Sequence, residues 1–381
     1  MKNLAASFIF SLIFLKAASA AELYEMNTTV RALGMGNAYT AIVNDKDSLF
    51  YNPAGLAKVG GINWTIMDPR LGVDGYDVIN TVTTGAQSGN SLDTLRSIFG
   101  KNLWLGAGAK MALAIPGFAF AVYDTNEVAA YLSNPAFPNM NLRYIADYGA
   151  AVGVGIDVAE VFQIGIAGKR ISRSGGEFPV GLSTLGTLTN QDLVNQLSAM
   201  GTGYSIDVGT TLTLPAGNVT PIFSLVLKQV GSTQFTRDSG VQAPPRIPDE
   251  LIFGFATMID MPGINILPAV DYKYATRTDE PLGKKIHVGI EFDLPVLRLR
   301  GGLNQGYWTL GVGIDMQFLK FDAASYGVEL GEYPGQHEDR RFLLQATMEL
   351  GLDPTFGLGG GKGGKGGSSS GGGSRGVKPR R

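Results

Sequence analysis

From Met111 to Leu350 the chain alternates apolar and polar residues with a period of two, broken at short intervals by turn-forming residues. In the stretch from Tyr204 to Leu214, the residues Tyr204, Ile206, Val208, Leu212 and Leu214 fall on one face, with Ser205, Asp207, Thr211 and Thr213 on the other. Between Lys285 and Leu294 the split sets Ile286, Val288, Ile290 and Phe292 against His287, Glu291 and Asp293. The same holds around Phe162 to Lys169, Leu297 to Asn304 and Phe342 to Glu349. Successive side chains of a strand point to opposite faces, so each segment predicts a strand with one apolar face. Many run to about 10 residues, longer than the ~5 to 6 of soluble sheets and matched to a tilted bilayer crossing of about 9 to 11.

The connections add a second periodicity. Long ones are expected at Gly331–Arg340, Ala275–Gly283, Gly231–Pro248, Ser172–Gly203 and Asn134–Asn141. Tight ones fall between them at Met316–Leu319, Asp293–Val296, Asp260–Gly263, Pro215–Asn218 and Val158–Val161, with a short link at Asn304–Gly306 as the exception. With strands at Lys110–Ile115, Phe118–Tyr123 and Val128–Ser133 the count reaches about 14, the even number a bacterial outer-membrane barrel requires. The fold class is therefore all-β, a transmembrane antiparallel barrel over 109–356 rather than a soluble sandwich. Residues 21–108 are left outside the wall as an N-terminal plug or hatch region. Ile62–Met67 is its one strand candidate and Ser91–Phe99 a short helix. A second short helix is expected at Asn190–Met200, inside a long connection.

Composition narrows the setting. Residues 1–20 carry Lys2, an apolar run from Leu4 to Leu15 and the small-residue site Ala18-Ser19-Ala20, which together read as a secretory signal peptide. The apolar run is too short for a membrane-spanning helix of about 20 residues. There is no cysteine, which excludes disulfides, thiolate nucleophiles and thiolate metal sites. No phosphate-binding glycine loop precedes a helix, and no cofactor is expected. Net charge is −2, but residues 357–381 hold six basic residues and no acid among glycines and serines, a flexible-linker composition that could meet an anionic periplasmic partner. The acidic body gives no nucleic-acid surface.

The densest signal is Arg31–Val59, with Gly34-Met35-Gly36-Asn37-Ala38-Tyr39, an acidic break at Asp45 and Asp47, and then Tyr51-Asn52-Pro53-Ala54-Gly55-Leu56. This segment resembles the N-terminal region of FadL-like outer-membrane transport barrels and of the related PorV-type family. The resemblance implies a hatch inside a 14-stranded barrel, outer-membrane lipid around it, and passage of hydrophobic small molecules such as long-chain fatty acids. Gly34, Gly36, Asn52, Pro53 and Gly55 are then the plug or gate residues. Glycines allow close backbone approach and positive φ, and Asn-Pro sets a turn. The same turn chemistry also accounts for these residues with no ligand contact. Both termini are expected on the periplasmic side, and the chain runs on past Leu350 where such barrels commonly end.

Candidate chemistry is sparse. Arg298 and Arg300 share a face two residues apart and form, with His287, a candidate binding set for a carboxylate headgroup. Ion pairing of the arginines with Glu291 or Asp293 on the neighbouring strand is the competing reading. His287 and His337 lie in no nucleophile motif, so no enzyme activity is expected. A non-conducting barrel that serves a secretion or envelope assembly as a protein partner is the alternative to transport.

Overall fold

A computed structural model describes residues 22–352 apart from 24, 75–100, 134–138, 182–198, 241 and 317. The expected signal peptide, the helix at Ser91–Phe99, most of that at Asn190–Met200 and the basic tail lie outside the described residues. The strands are β1 Ile62–Met67, β2 Arg70–Asp74, β3 Asn102–Ile115, β4 Phe118–Ser133, β5 Asn139–Ala159, β6 Phe162–Gly181, β7 Met200–Thr213 and β8 Val219–Lys228. They continue with β9 Phe235–Ser239, β10 Glu250–Met261, β11 Ile264–Tyr272, β12 Ile286–Asp293, β13 Leu297–Asn304, β14 Tyr307–Met316, β15 Leu319–Glu329 and β16 Glu338–Leu352.

All pairings are antiparallel, and the sheet closes because β1 and β2 both lie between β16 and β3. β1 and β2 are two halves of one wall strand, and β9 is a side branch on β7, which leaves a closed 14-stranded barrel. The expected number is thus reached by a different set of strands. Ile62–Met67, placed outside the wall on sequence, is part of it. Phe118–Tyr123 and Val128–Ser133 are one strand, since the polar run Asp124–Glu127 stays extended and paired with Tyr148 to Ile145. Pro69 explains the break between β1 and β2: it has no N–H to donate to a ladder, although its carbonyl still accepts from Ala346 N at 3.0 Å.

The burial pattern is that of a soluble protein turned inside out. Trp64, Leu71, Ile156, Leu310 and Leu344 face outward and are more than half exposed. Lys169, Asp207, Asp271, His287 and Glu291 of other wall strands face inward and are buried. An outward apolar band around a polar lumen is what a bilayer demands of a barrel, whose backbone groups are all satisfied between strands. Among the described residues no helix is long and apolar enough to cross a membrane.

Tight turns, at 116–117, 160–161 and 262–263 among others, sit at one end, and the long connections at the other. Leu352 pairs with Ile62 at the tight-turn end. Glu22 instead bonds Arg143 and Arg341, close to the long-loop ends of β5 and β16. The first and last described residues therefore lie toward opposite ends of the barrel. Residues 22–61 run down the inside between these points.

Candidate functional site

The N-terminal segment is built from three short helical turns, each started by a polar cap. Thr29 accepts from Arg31 N at 3.1 Å and opens Val30–Gly34. Asp45 accepts from Asp47 N at 2.9 Å and opens a 3-10 turn, Lys46–Leu49. Asn52 accepts from Ala54 N at 3.1 Å and opens a second, Pro53–Lys58, with Pro53 at the first position where no N–H is needed.

This segment is tied to the wall all the way round. Arg31 Nε and Nη2 each lie 2.9 Å from the Glu291 carboxylate on β12. Tyr39 N and Thr40 N donate to Asp271 on β11 at 2.9 and 3.0 Å. Asn52 Nδ2 donates to Thr211 on β7 at 3.0 Å, and Val30 N to Gln345 on β16 at 3.0 Å. Lys110 of β3 holds Asp47. Buried polar groups thus find partners across the lumen rather than water.

Glycines set the fit. On β5, β6 and β7 the residues Gly155, Gly165 and Gly209 lie side by side on the inner face. A Cβ on Gly165 would fall 2.2 Å from Pro53 C, and one on Gly209 would fall 2.1 Å from Asn52 Oδ1. On β12 and β13 the paired Gly289 and Gly302 seat Met35 and Gly36 in the same way. Gly36 itself has φ of +62° and donates to Thr309 Oγ1 at 2.9 Å. Gly34 abuts Gly311, where a Cβ would come within 2.9 Å of its Cα. Gly55 packs within the segment, with Val43 O 2.2 Å from its would-be Cβ. Of the five residues expected to form a plug or gate, Gly34, Gly36, Asn52 and Pro53 touch the wall, and Gly55 packs within the segment.

The expected headgroup set is engaged elsewhere. Arg298 pairs with Asp293 at 2.8 Å and Asp315 at 2.6 Å; Arg300 pairs with Glu291 at 2.8 Å and Asp322 at 2.5 Å. His287 Nδ1 is 3.0 Å from Gly36 O. Arg298 borders a small cavity of about 80 Å³ toward the tight-turn end, whereas Arg300 and His287 are buried against the N-terminal segment.

A cavity of about 630 Å³ lies at the long-loop mouth, bordered by Glu22, Asn102, Tyr131, Arg143, His337 and Arg341 among others. Glu22, the start of the described chain, bonds Arg143 at 2.6 Å and Arg341 at 2.7 Å. His337 Nε2 lies 3.1 Å from Asn102 Oδ1, and its ring packs edge-on against Tyr131. Of these residues the sequence reading weighed only His337, as a nucleophile's partner, and it passed over the wall glycines. The glycine row becomes visible only once the pairing is known, since a bulge between Asp157 and Ala159 brings Gly155, rather than Ile156, opposite Gly165.

Electrostatics hold the upper end of the segment. Burial would raise the Glu22 carboxyl, but Arg143 and Arg341 outweigh it and hold it at about 2. Glu25 is likewise raised by burial and pulled down to about 2, chiefly by Lys273, 2.7 Å away. Carboxyls depressed in this way stabilise the folded state above about 4.5, and that contribution is lost only as pH falls through about 2. Protease protection of residues 22–30 is therefore expected to be constant between pH 5 and 8. Progressive cleavage over that range would show that these pairs do not hold the segment.

No family profile and no curated protein sequence matches the chain. Among solved structures it is similar to the Ralstonia pickettii toluene transporter TbuX, with a TM-score of 0.48 and 11% identity over 84% of this chain and 97% of that one. It is similar to the Pseudomonas putida toluene transporter TodX, with a TM-score of 0.45 and 12% identity over 87% and 98%. A Pseudomonas aeruginosa FadL homologue gives 0.34 and 12% over 84% and 98%. All three are barrels of the FadL-like kind that the motif at Arg31–Val59 resembles.

Proposed function

We propose that this chain is a bacterial outer-membrane barrel for the passage of small hydrophobic molecules, with long-chain fatty acids as one candidate class. Residues 22–60 act as its hatch, and the tight-turn end faces the periplasm, as in barrels whose longer loops are outside. One observation carries the reading: the mouth cavity of about 630 Å³ is bordered by Glu22, the first described residue of the segment that occupies the lumen. A molecule collected there meets the end of that segment as well as the wall. The segment's many ion pairs favour the second reading, a non-conducting barrel that presents its loops to an envelope partner.

Uptake of 1-N-phenylnaphthylamine and of a fluorescent fatty acid by intact cells separates the two, because the outer leaflet retards both probes. Saturable uptake above that of cells lacking the protein supports transport, and the more favoured probe indicates the ligand class. Uptake equal to those cells, with the folded barrel confirmed in the membrane, refutes it.

A further inference from the structure

Among the described residues there are three buried apolar clusters, and one of them reaches the mouth cavity. It comprises Val30 and Leu33 of the N-terminal segment with Trp104, Tyr326, Val328 and Leu343 of the wall. Ala129 and Leu330, packed against it, also border the cavity. The other two clusters contribute nothing to that lining. An apolar stripe therefore descends from the mouth between the segment and β3, β15 and β16. This is also the side that lacks the glycine rows seating the segment on β5 to β7 and on β12 and β13.

Trp104 stands at the head of the stripe. Its side chain is 3% exposed, and the guanidinium of Arg341, itself a cavity residue, lies 4.5 Å from the ring centroid. The indole rests on two paired glycines: a Cβ on Gly72 would come within 2.6 Å of Cζ3, and one on Gly106 within 2.4 Å of Cη2. Below the ring only about 10 Å³ is open, between Thr28, Arg70, Tyr326 and Leu343. The buried Nε1–H has no hydrogen-bond acceptor. A native tryptophan usually satisfies that donor when buried, so this ring is held by packing and by the Arg341 guanidinium, and forfeits no hydrogen bond when it moves.

We propose that a small apolar guest leaves the mouth cavity by displacing the Trp104 indole and entering the slot beneath it, while the N-terminal segment stays seated on its glycines. The route rests on the transport reading, and its first step, entry of the guest, can be measured without transport.

The chain has three tryptophans, and Trp64 and Trp308 face outward, so W64F/W308F leaves Trp104 as the sole indole reporter. Bromobenzene should quench its emission saturably, and excess benzene should relieve the quenching. Quenching that is absent, or linear and unaffected by benzene, overturns the proposal even if cells take up the probe. In intact cells W104A should admit 1-N-phenylnaphthylamine on the order of tenfold faster than wild type, a modest lowering of one barrier. G106A, which tilts the ring without removing it, should act in the same direction and covers the case in which W104A fails to fold. Wild-type rates in every folded variant overturn the route. Failure of wild-type uptake would instead count against transport, leaving the quenching result to decide whether the slot admits a guest.

Discussion

Gly165→Val should unseat the N-terminal segment. A Cβ at this position meets Pro53 C at 2.2 Å, Pro53 O at 2.3 Å and Ala54 N at 2.4 Å, all backbone atoms that cannot swing aside. The neighbouring strands offer no relief, because Gly155 and Gly209 are pressed against Pro53 O and Asn52 Oδ1. Overpacking of a well-filled interior costs about 1 to 3 kcal/mol where side chains can adjust, and the backbone contacts here push toward the upper end. The wall itself is not strained, since the valine would relax once the segment leaves. The expected result is a folded barrel in which trypsin cuts after Arg31, Lys46 and Lys58. Gly168→Val, on the same strand with nothing within 4 Å of its Cβ, is the matched control. Equal protection in both variants would show that the glycine row does not seat the segment.

Glu291→Gln should produce the largest loss of stability from a single charge. Its carboxylate is fully buried and accepts from Arg31 at 2.9 Å and Arg300 at 2.8 Å. Neutralising it removes the anionic charge shared by two buried guanidiniums, which keep the Tyr39 hydroxyl for Arg31, Asp322 for Arg300 and one amide oxygen between them. Breaking a buried pair from one side typically costs about 3 to 5 kcal/mol, because the stranded charge stays out of water. Removing the stranded charge as well, in R31M/E291Q, should recover part of that loss. Denaturant unfolding in detergent would check both; a double variant less stable than the single one would contradict the desolvation account.

Much of the wall is legible in the sequence because a barrel strand repeats one rule, apolar out and polar in, for its whole length. The exceptions have local causes. β1 reads as a strand but not as part of the wall, and β2 is missed, because Pro69 interrupts a short strand whose inward positions include Asp68 and Gly72. β4 looks like two strands because Asp124–Glu127 interrupt its apolar alternation, yet they remain in the ladder. The inner face is harder to read. Arg298 and Arg300 allow a ligand-holding reading beside the ion pairs with Asp293 and Glu291 that they make, and the pairing of Arg31 with Glu291 spans 260 residues. Glycines such as Gly155 and Gly165 carry no signal singly; their meaning comes from register.

One feature bears on how the molecule is made. The segment that fills the lumen runs directly into β1, and β1 and β2 close the ring against β16. Val30 N and Gln345, which bond at 3.0 Å, are 315 residues apart. Joining the first and last strands and enclosing the segment are therefore linked in one step of biogenesis. Until the stretch that includes Phe342 to Leu352 has been synthesised and inserted, the ring has an open edge through which the segment is free to come and go. A chain that closed with the segment outside would have to thread it back through a barrel mouth, so the order of assembly, as well as the final contacts, bears on how the lumen is filled.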